Sequence, residues 1–295
     1  MTRERSGDYY ALSCALLCSI GNITAKIGLR SVTPELFQFY LFGFGFIMSA
    51  AYLIRPNARK EVFTTNKKAL GLIFVLSILF SFGIYTFISS LKLVEPATVS
   101  FLSRFEVIFL LLFAFIFLKE RLKPIELIGG LITIGGIFVL KFKTNMVISE
   151  AASLMILSAF FFALAEIIIK KNINLVGTIR FIFWRNIFAV FIFYAILIYH
   201  NQPIIIIDSN AMLLTALTAF LLPIMGRFTY LEALKRIKIS RTALITQATP
   251  LFTAIFALLI LGTYPTPIEW LGGGLILLGV VVIKLKFGKV KPASK

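Results

Sequence analysis

Residues 124–143, PIELIGGLITIGGIFVLKFK, recur at 267–286 as PIEWLGGGLILLGVVVIKLK. In that ungapped register, offset by 143 residues, nine positions are identical: Pro124/Pro267, Ile125/Ile268, Glu126/Glu269, Gly129/Gly272, Gly130/Gly273, Gly136/Gly279, Val139/Val282, Lys141/Lys284 and Lys143/Lys286. The offset runs upstream without a gap, where Gly83 meets Gly226, Thr86 meets Thr229, Leu91 meets Leu234 and Lys92 meets Lys235. Self-similarity over half a chain marks an internal duplication, and it decides the architecture before any other signal is read. The sequence divides into a first repeat, 1–145, and a second, 146–295.

Composition names the solvent in which this unit folds. Of the 295 residues 59% are apolar and 15% charged, against roughly 25% charged in soluble domains, and the mean hydropathy is +0.95. An α-helix needs about 20 apolar residues to cross about 30 Å of hydrocarbon. Ten such runs are present, at about 9–29, 34–54, 69–90, 95–117, 124–141, 150–170, 179–199, 209–231, 239–261 and 267–284. The predicted fold is therefore an all-α membrane protein, one integral membrane domain of ten transmembrane helices. Five helices per repeat is an odd number, so the second copy enters the bilayer from the opposite side. Inverted repeats of this kind are a plan of secondary transporters, with the substrate site near the midplane at the repeat interface.

The net charge of +17 raises the question of an acidic partner, and its distribution answers it. With a cytoplasmic N-terminus, 22 of the 30 basic residues fall in cytoplasmic segments. Five fall on the other side, Lys26, Arg30, Lys92, Lys141 and Lys143, and three inside helices, Arg104, Arg185 and Arg227. That asymmetry is the positive-inside pattern of a chain with both termini in the cytoplasm, and it argues against nucleic-acid binding. The short charged tail before the first span has no cleavage pattern, so that span reads as retained. The expected location is the cell membrane, multi-pass, in the inner or cytoplasmic membrane of a bacterium.

Ionisable groups at mid-bilayer cost about 2.5–3.5 kcal/mol on insertion scales and point to function. Glu106 sits at the centre of the fourth run, and helical spacing puts Ser103, Glu106 and Leu110 on one face. At the repeat offset that face becomes Thr246, Thr249 and Thr253 on the ninth run, extended one turn by Thr242. Two polar stripes at equivalent positions face each other across the midplane in an inverted pseudo-twofold. The candidate translocation residues are Glu106, Ser103, Arg104, Thr246, Gln247 and Thr249, with Tyr40 and Trp184 as aromatic surfaces for a flat or cationic solute. Three roles for Glu106 stay open: contact with an amine, proton carriage, or a structural bond to a neighbouring helix. Glu166, Arg185, Arg227 and Glu232 form a second group, read either as containing a gating ion pair between Glu166 and Arg185 or as a static pair with a snorkelling Arg227.

Other classes fare worse. Cys14 and Cys18 lie one turn apart with no His or acid nearby, so they read as small buried residues, without a disulfide or a metal. The single histidine, His200, the lack of HExxH and the lack of paired mid-membrane Asp residues argue against an enzyme, and no cofactor is expected. The Gly-rich fifth and tenth runs have helix-packing spacing, within a monomer or across a homodimer. A structural or modulatory membrane protein is the non-transport alternative, and it leaves the mid-membrane charges without a use.

The two halves, the segment ATVSFLSRFEVIFLLLFAFIFLKERL ending in Glu120-Arg121-Leu122, and TPLFTAIFALLILG of the ninth run together resemble the EamA family of the drug/metabolite transporter superfamily. That resemblance covers nearly the whole chain. It implies a central cavity between the halves and a small metabolite such as an amino acid, nucleotide derivative, vitamin, choline or drug, often exported. Departures are Val107 where the family often has Pro, with Pro250 keeping it in the second half, Ile20-Gly21 in place of Trp-Gly, and Thr263, Tyr264 and Pro265 in place of the second Glu-Arg-Leu. The reading is a secondary transporter that exports a small amine-bearing or zwitterionic metabolite by alternating access, coupled to protons or to exchange. The alternative cargo is a nucleoside-type, choline-like or drug-like organic cation. Beyond its substrate and the surrounding lipid no partner is implied.

Overall fold

The computed structural model describes residues 3–103, 105–118, 128–129, 131–132, 135, 139, 146–237, 239–246, 248–262, 264 and 267–284. Among the described residues the regular structure is helical throughout, with no strand. In chain order the helices are α1 (Arg3–Gly28), α2 (Pro34–Tyr52), α3 (Pro56–Phe63), α4 (Lys67–Leu93), α5 (Pro96–Leu102), α6 (Phe105–Leu118), α7 (Met146–Lys171), α8 (Thr178–Tyr199), α9 (Ser209–Ala219), a π-helical segment (Phe220–Gly226), α10 (Arg227–Arg236), α11 (Ile239–Thr246), α12 (Thr249–Leu261) and α13 (Pro267–Lys284). One-turn helix Ile173–Val176 links α7 to α8.

Short polar side chains start these helices by accepting from otherwise unpaired first-turn amides. Asn66 accepts from Ala69 N at 2.8 Å to open α4, and Asp208 accepts from Asn210 N and Ala211 N at 2.9 and 3.0 Å to open α9. Thr33 does the same for α2, whose first residue, Pro34, has no amide to satisfy.

Five helices are long and apolar enough to cross a membrane among the described residues: Glu4–Gly28, Lys67–Leu93, Glu150–Lys171, Thr178–Tyr199 and Ser209–Arg236. α2 and α3 add a sixth path bent by 119°. Pro56 holds Arg55 in extended conformation, φ −75° and ψ 122°, because its ring disfavours a helical residue before it. The second run consequently stops at Tyr52, short of the expected 54, and α3 is a helix that the apolar pattern does not announce.

Two expected spans are each divided. The run 95–117 forms α5 and α6, and the run 239–261 forms α11 and α12. Around both divisions an amide reaches back three residues instead of four, Glu106 N to Ser103 O and Ala248 N to Ile245 O, both at 3.1 Å. In the second half Pro250 has no amide for the Thr246 carbonyl, and the Thr249 hydroxyl donates to it instead, at 2.7 Å. The fifth run, 124–141, lies mostly outside the described residues.

The repeats interlock. α1 packs mainly against α9 to α12 of the second repeat, and α7 packs against α4 to α6 of the first. α2 lies along α8, where the Phe42 and Phe193 rings stack with centroids 5.6 Å apart.

Equivalent residues make equivalent bonds in the two halves. Lys26 Nζ donates to the carbonyls of Leu91, Lys92 and Val94 at the end of α4, at 3.0, 3.3 and 2.9 Å. Lys170 Nζ donates to those of Leu234 and Ile237 at the end of α10, at 3.0 and 3.4 Å. A cation there satisfies terminal carbonyls and sits at the negative end of the helix dipole. Gly83 and Gly226 mark equivalent close approaches: a Cβ at Gly83 would lie 2.7 Å from the Phe162 ring, and one at Gly226 2.8 Å from the Leu221 carbonyl oxygen and 3.3 Å from Cys18 Sγ.

Candidate functional site

The interlocking leaves a cavity of about 250 Å³ walled by both repeats. α1 contributes Cys14, Cys18 and Asn22, α4 contributes Phe80, Ile84, Phe87 and Ile88, and the α5–α6 region contributes Ser103, Glu106, Val107 and Leu110. From the second half come Phe162 and Glu166 of α7, Arg185 of α8, Leu222, Pro223 and Gly226 of the π segment, Arg227 and Tyr230 of α10, Thr246 and Thr249. Ser19 Oγ donates to the Thr249 carbonyl at 3.0 Å, which ties α1 to α12 beside the cavity.

Seven of the residues singled out by sequence meet in this wall: Ser103, Glu106, Glu166, Arg185, Arg227, Thr246 and Thr249. Arg104 and Gln247 lie outside the described residues. The two aromatic candidates are elsewhere. Tyr40 OH donates to the Ile205 carbonyl at 3.0 Å, and Trp184 Nε1 donates to that of Val62 at 3.4 Å, with its ring against Phe183 and Phe188. The aromatic rings of the cavity are Phe80, Phe87, Phe162 and Tyr230 instead.

The ion pair also differs from the expected one. Glu166, buried on α7, accepts from Arg227 Nη1 at 2.6 Å, and Arg227 takes the place expected of Arg185. The reason is the face each arginine presents. The Arg227 guanidinium lies over the Phe80, Phe181 and Tyr230 rings, with Cζ 4.4, 5.1 and 5.3 Å from their centroids. Arg185, 6% exposed, donates through Nη2 to the Pro223 carbonyl at 2.9 Å and to Asn186 Oδ1 at 3.1 Å. Phe181 stands between the two cations, 5.5 Å from Arg185 Cζ. Arg185 Nε, Arg227 Nε and Nη2, and Glu166 Oε2 are buried with no hydrogen-bond partner among the described residues.

The Pro223 carbonyl is available to Arg185 because of the π turn. Proline cannot donate, and its ring clashes with the preceding turn of an α-helix. The widened turn moves the Arg227 amide onto the Leu222 and Ile224 carbonyls. π turns within α-helices are frequent at functional sites. The wall therefore carries two guanidiniums and two carboxylates, Glu166 and Glu106, among rings and hydroxyls. Such a wall can hold a small solute of mixed charge by hydrogen bonds, and among the described residues there is no cluster of three or more metal-binding side chains.

A model of the EamA-like transporter family matches residues 5–142 and again residues 150–285. The chain belongs to that family. The EamA family is part of the drug/metabolite transporter superfamily, and this EamA chain is a multi-pass membrane protein. It is 28% identical over 222 residues to a Synechocystis protein named as an uncharacterized transporter, over 70% of this chain and 64% of that relative. The match thus spans under two thirds of the relative's length. A solved crystal structure, 19% identical, superposes with a TM-score of 0.70 over 96% of this chain and 97% of that one, which shows a common fold for the EamA chain.

Asn22 and Tyr230 are cavity residues of this EamA protein that the sequence did not single out, and Cys14 and Cys18, read from the sequence as small buried residues, line the cavity as well. The signal was present in part: Cys14, Cys18 and Asn22 are spaced four apart, one polar stripe on one helix face. Nothing in the pattern distinguishes that stripe from ordinary small core residues until the partner helices are known.

Proposed function

We propose that this EamA protein is a secondary transporter of the bacterial inner membrane that carries a small zwitterionic metabolite of the amino-acid class, outward, by alternating access between inverted repeats with both termini cytoplasmic. The observation that carries the reading is Arg185, a buried guanidinium in the cavity wall bonded to a carbonyl and an amide oxygen, with the Glu106 carboxylate in the same cavity. A substrate carboxylate completes the charge balance near Arg185, and a substrate ammonium group meets Glu106. The volume, about 250 Å³, favours a small molecule, since pockets for drug-sized ligands run about 300–1,000 Å³. Two guanidiniums in the wall oppose a bulky organic cation, and Tyr40 and Trp184 are turned to other partners.

Counterflow uptake in proteoliposomes tests this, with amino acids, the matching amines and the matching carboxylic acids as cargo. The zwitterions exchange, Glu106→Gln loses them while leaving residual acid exchange, and Arg185→Gln loses them while leaving residual amine exchange. Equal activity of all three proteins toward one zwitterion would refute the assigned contacts. Robust exchange of choline-like cations alone would replace the substrate class.

A further inference from the structure

A second concavity, a lateral groove of about 570 Å³, opens between α2, α8 and the π segment. Met48, Tyr52, Ile182, Phe220, Ile224 and Phe228 give it an apolar wall. Its Ser49 hydroxyl is already spent on the Phe46 carbonyl, at 2.9 Å. Along its length the groove offers hydrocarbon-like surface and nothing that orients a polar solute.

One end is different. The Arg55 guanidinium lies 4.9 Å above the Tyr52 ring and donates to the Tyr52 hydroxyl at 3.2 Å. This is where the chain turns by 119° into α3. α3 turns Ala58 and Val62 inward and leaves Arg59 and Lys60 exposed, while Ile54 and Phe63, 86% and 64% exposed, flank the basic cluster. Lys67 and Lys68 follow, also exposed, and Glu61 is the one acid between residues 55 and 68. An amphipathic turn with basic and apolar groups together belongs at the boundary of headgroups and acyl chains.

We propose that this groove is a binding site for an anionic phospholipid, with an acyl chain along the wall of α2, α8 and the π segment and the phosphate on Arg55, Arg59 and Lys60. Charge complementarity selects this occupant, since basic clusters beside transmembrane helices hold anionic headgroups. A zwitterionic phospholipid brings its own cation to the same cluster. The site also adjoins the central cavity: Leu222 and Pro223 line the cavity and Ile224 and Phe228 line the groove, so lipid and solute share one thin helical wall.

The test uses the full chain in nanodiscs, with Phe228→Trp as a reporter in a Trp184→Phe/Trp270→Phe background. Brominated phosphatidylglycerol, added as a minor fraction, quenches the reporter more strongly than brominated phosphatidylcholine at equal fraction. Arg55→Gln lowers that preference by about fivefold, the factor one basic side chain near an anionic surface contributes, and the triple variant with Arg59→Gln and Lys60→Gln abolishes it. Equal quenching by the two lipids, or a preference unchanged in the triple variant, overturns the proposal. Native mass spectrometry of the unmodified chain against the triple variant repeats the comparison without the reporter: retained phosphatidylglycerol on the former only supports the site, and equal retention overturns it.

Discussion

Replacing Glu166 by Gln keeps the shape of the α7 wall and removes one negative charge from the most buried ionic contact of the cavity. In the native chain Glu166 Oε1 is 2.6 Å from Arg227 Nη1, with the two side chains only 4% and 10% exposed. Without it, the Arg185 and Arg227 guanidiniums flank Phe181 with that carboxylate gone. Removing one partner of a buried pair is destabilising by about 3–5 kcal/mol, because the other charge is left uncompensated. At about 2 °C per kcal/mol for a chain of this length, the apparent unfolding temperature falls by roughly 6–10 °C. The assay is thermal unfolding of purified protein in one detergent at one scan rate, since unfolding of such proteins is commonly irreversible and scan-dependent. The informative comparison is the double variant Glu166→Gln/Arg227→Met. Deleting both charges removes the uncompensated buried cation and brings most of the lost stability back, as whole-pair replacements often do. A single variant within about 1 kcal/mol of wild type, or a double variant no better than the single, would refute the reasoning.

Two further outcomes follow from packing and from protonation. Gly226→Ala drives a methyl group to 2.8 Å from the Leu221 carbonyl oxygen and lowers stability by about 1–3 kcal/mol, whereas Gly43→Ala, with nothing within 4 Å, is neutral or stabilising in the same thermal assay. Asp208, outside the spans, is held below the ordinary aspartate value of 3.8 chiefly by the Ala211 amide, then by the Asn210 amide and the Ser31 hydroxyl. Because its folded value is lowered, its contribution is whole above the unfolded value and is lost as pH falls through the folded one. Asp208→Asn therefore flattens the acid limb of an unfolding-temperature profile taken below pH 5 and leaves the neutral limb parallel to wild type.

Most of the architecture was legible because duplication and hydropathy are properties of single segments. The repeat of 124–143 at 267–286, the positions of the long apolar runs and the polar stripes of Ser103, Glu106, Thr246 and Thr249 need no knowledge of neighbours. What failed was pairing. Whether Glu166 meets Arg185 or Arg227 depends on how the π segment rotates α10, and a widened turn around Pro223 leaves no periodic trace in the sequence. Tyr40 and Trp184 were misplaced for a related reason: their polar tips are claimed by carbonyls of Ile205 and Val62, in segments joining or ending helices whose course no apolar count foretells. The fourth and ninth runs divide at their polar stretches, 103–106 and 246–250, which the sequence alone presents as solute contacts on one continuous helix.

The exchange of first helices between halves also sets a timetable for synthesis. α1 leaves the ribosome first, yet the helices it mainly packs on begin at Ser209. At about 5–20 residues per second, α1 waits roughly 10–40 s for them. Its hydroxyls are equipped for the delay: Ser19 bonds its own Ala15 carbonyl at 2.7 Å and Thr24 its own Gly21 carbonyl at 3.0 Å, so neither meets lipid unsatisfied. Only later does Ser19 also reach Thr249, and Thr24 accept from Thr218 at 2.8 Å. A nascent first half is thus incomplete until the second half arrives to receive its first helix.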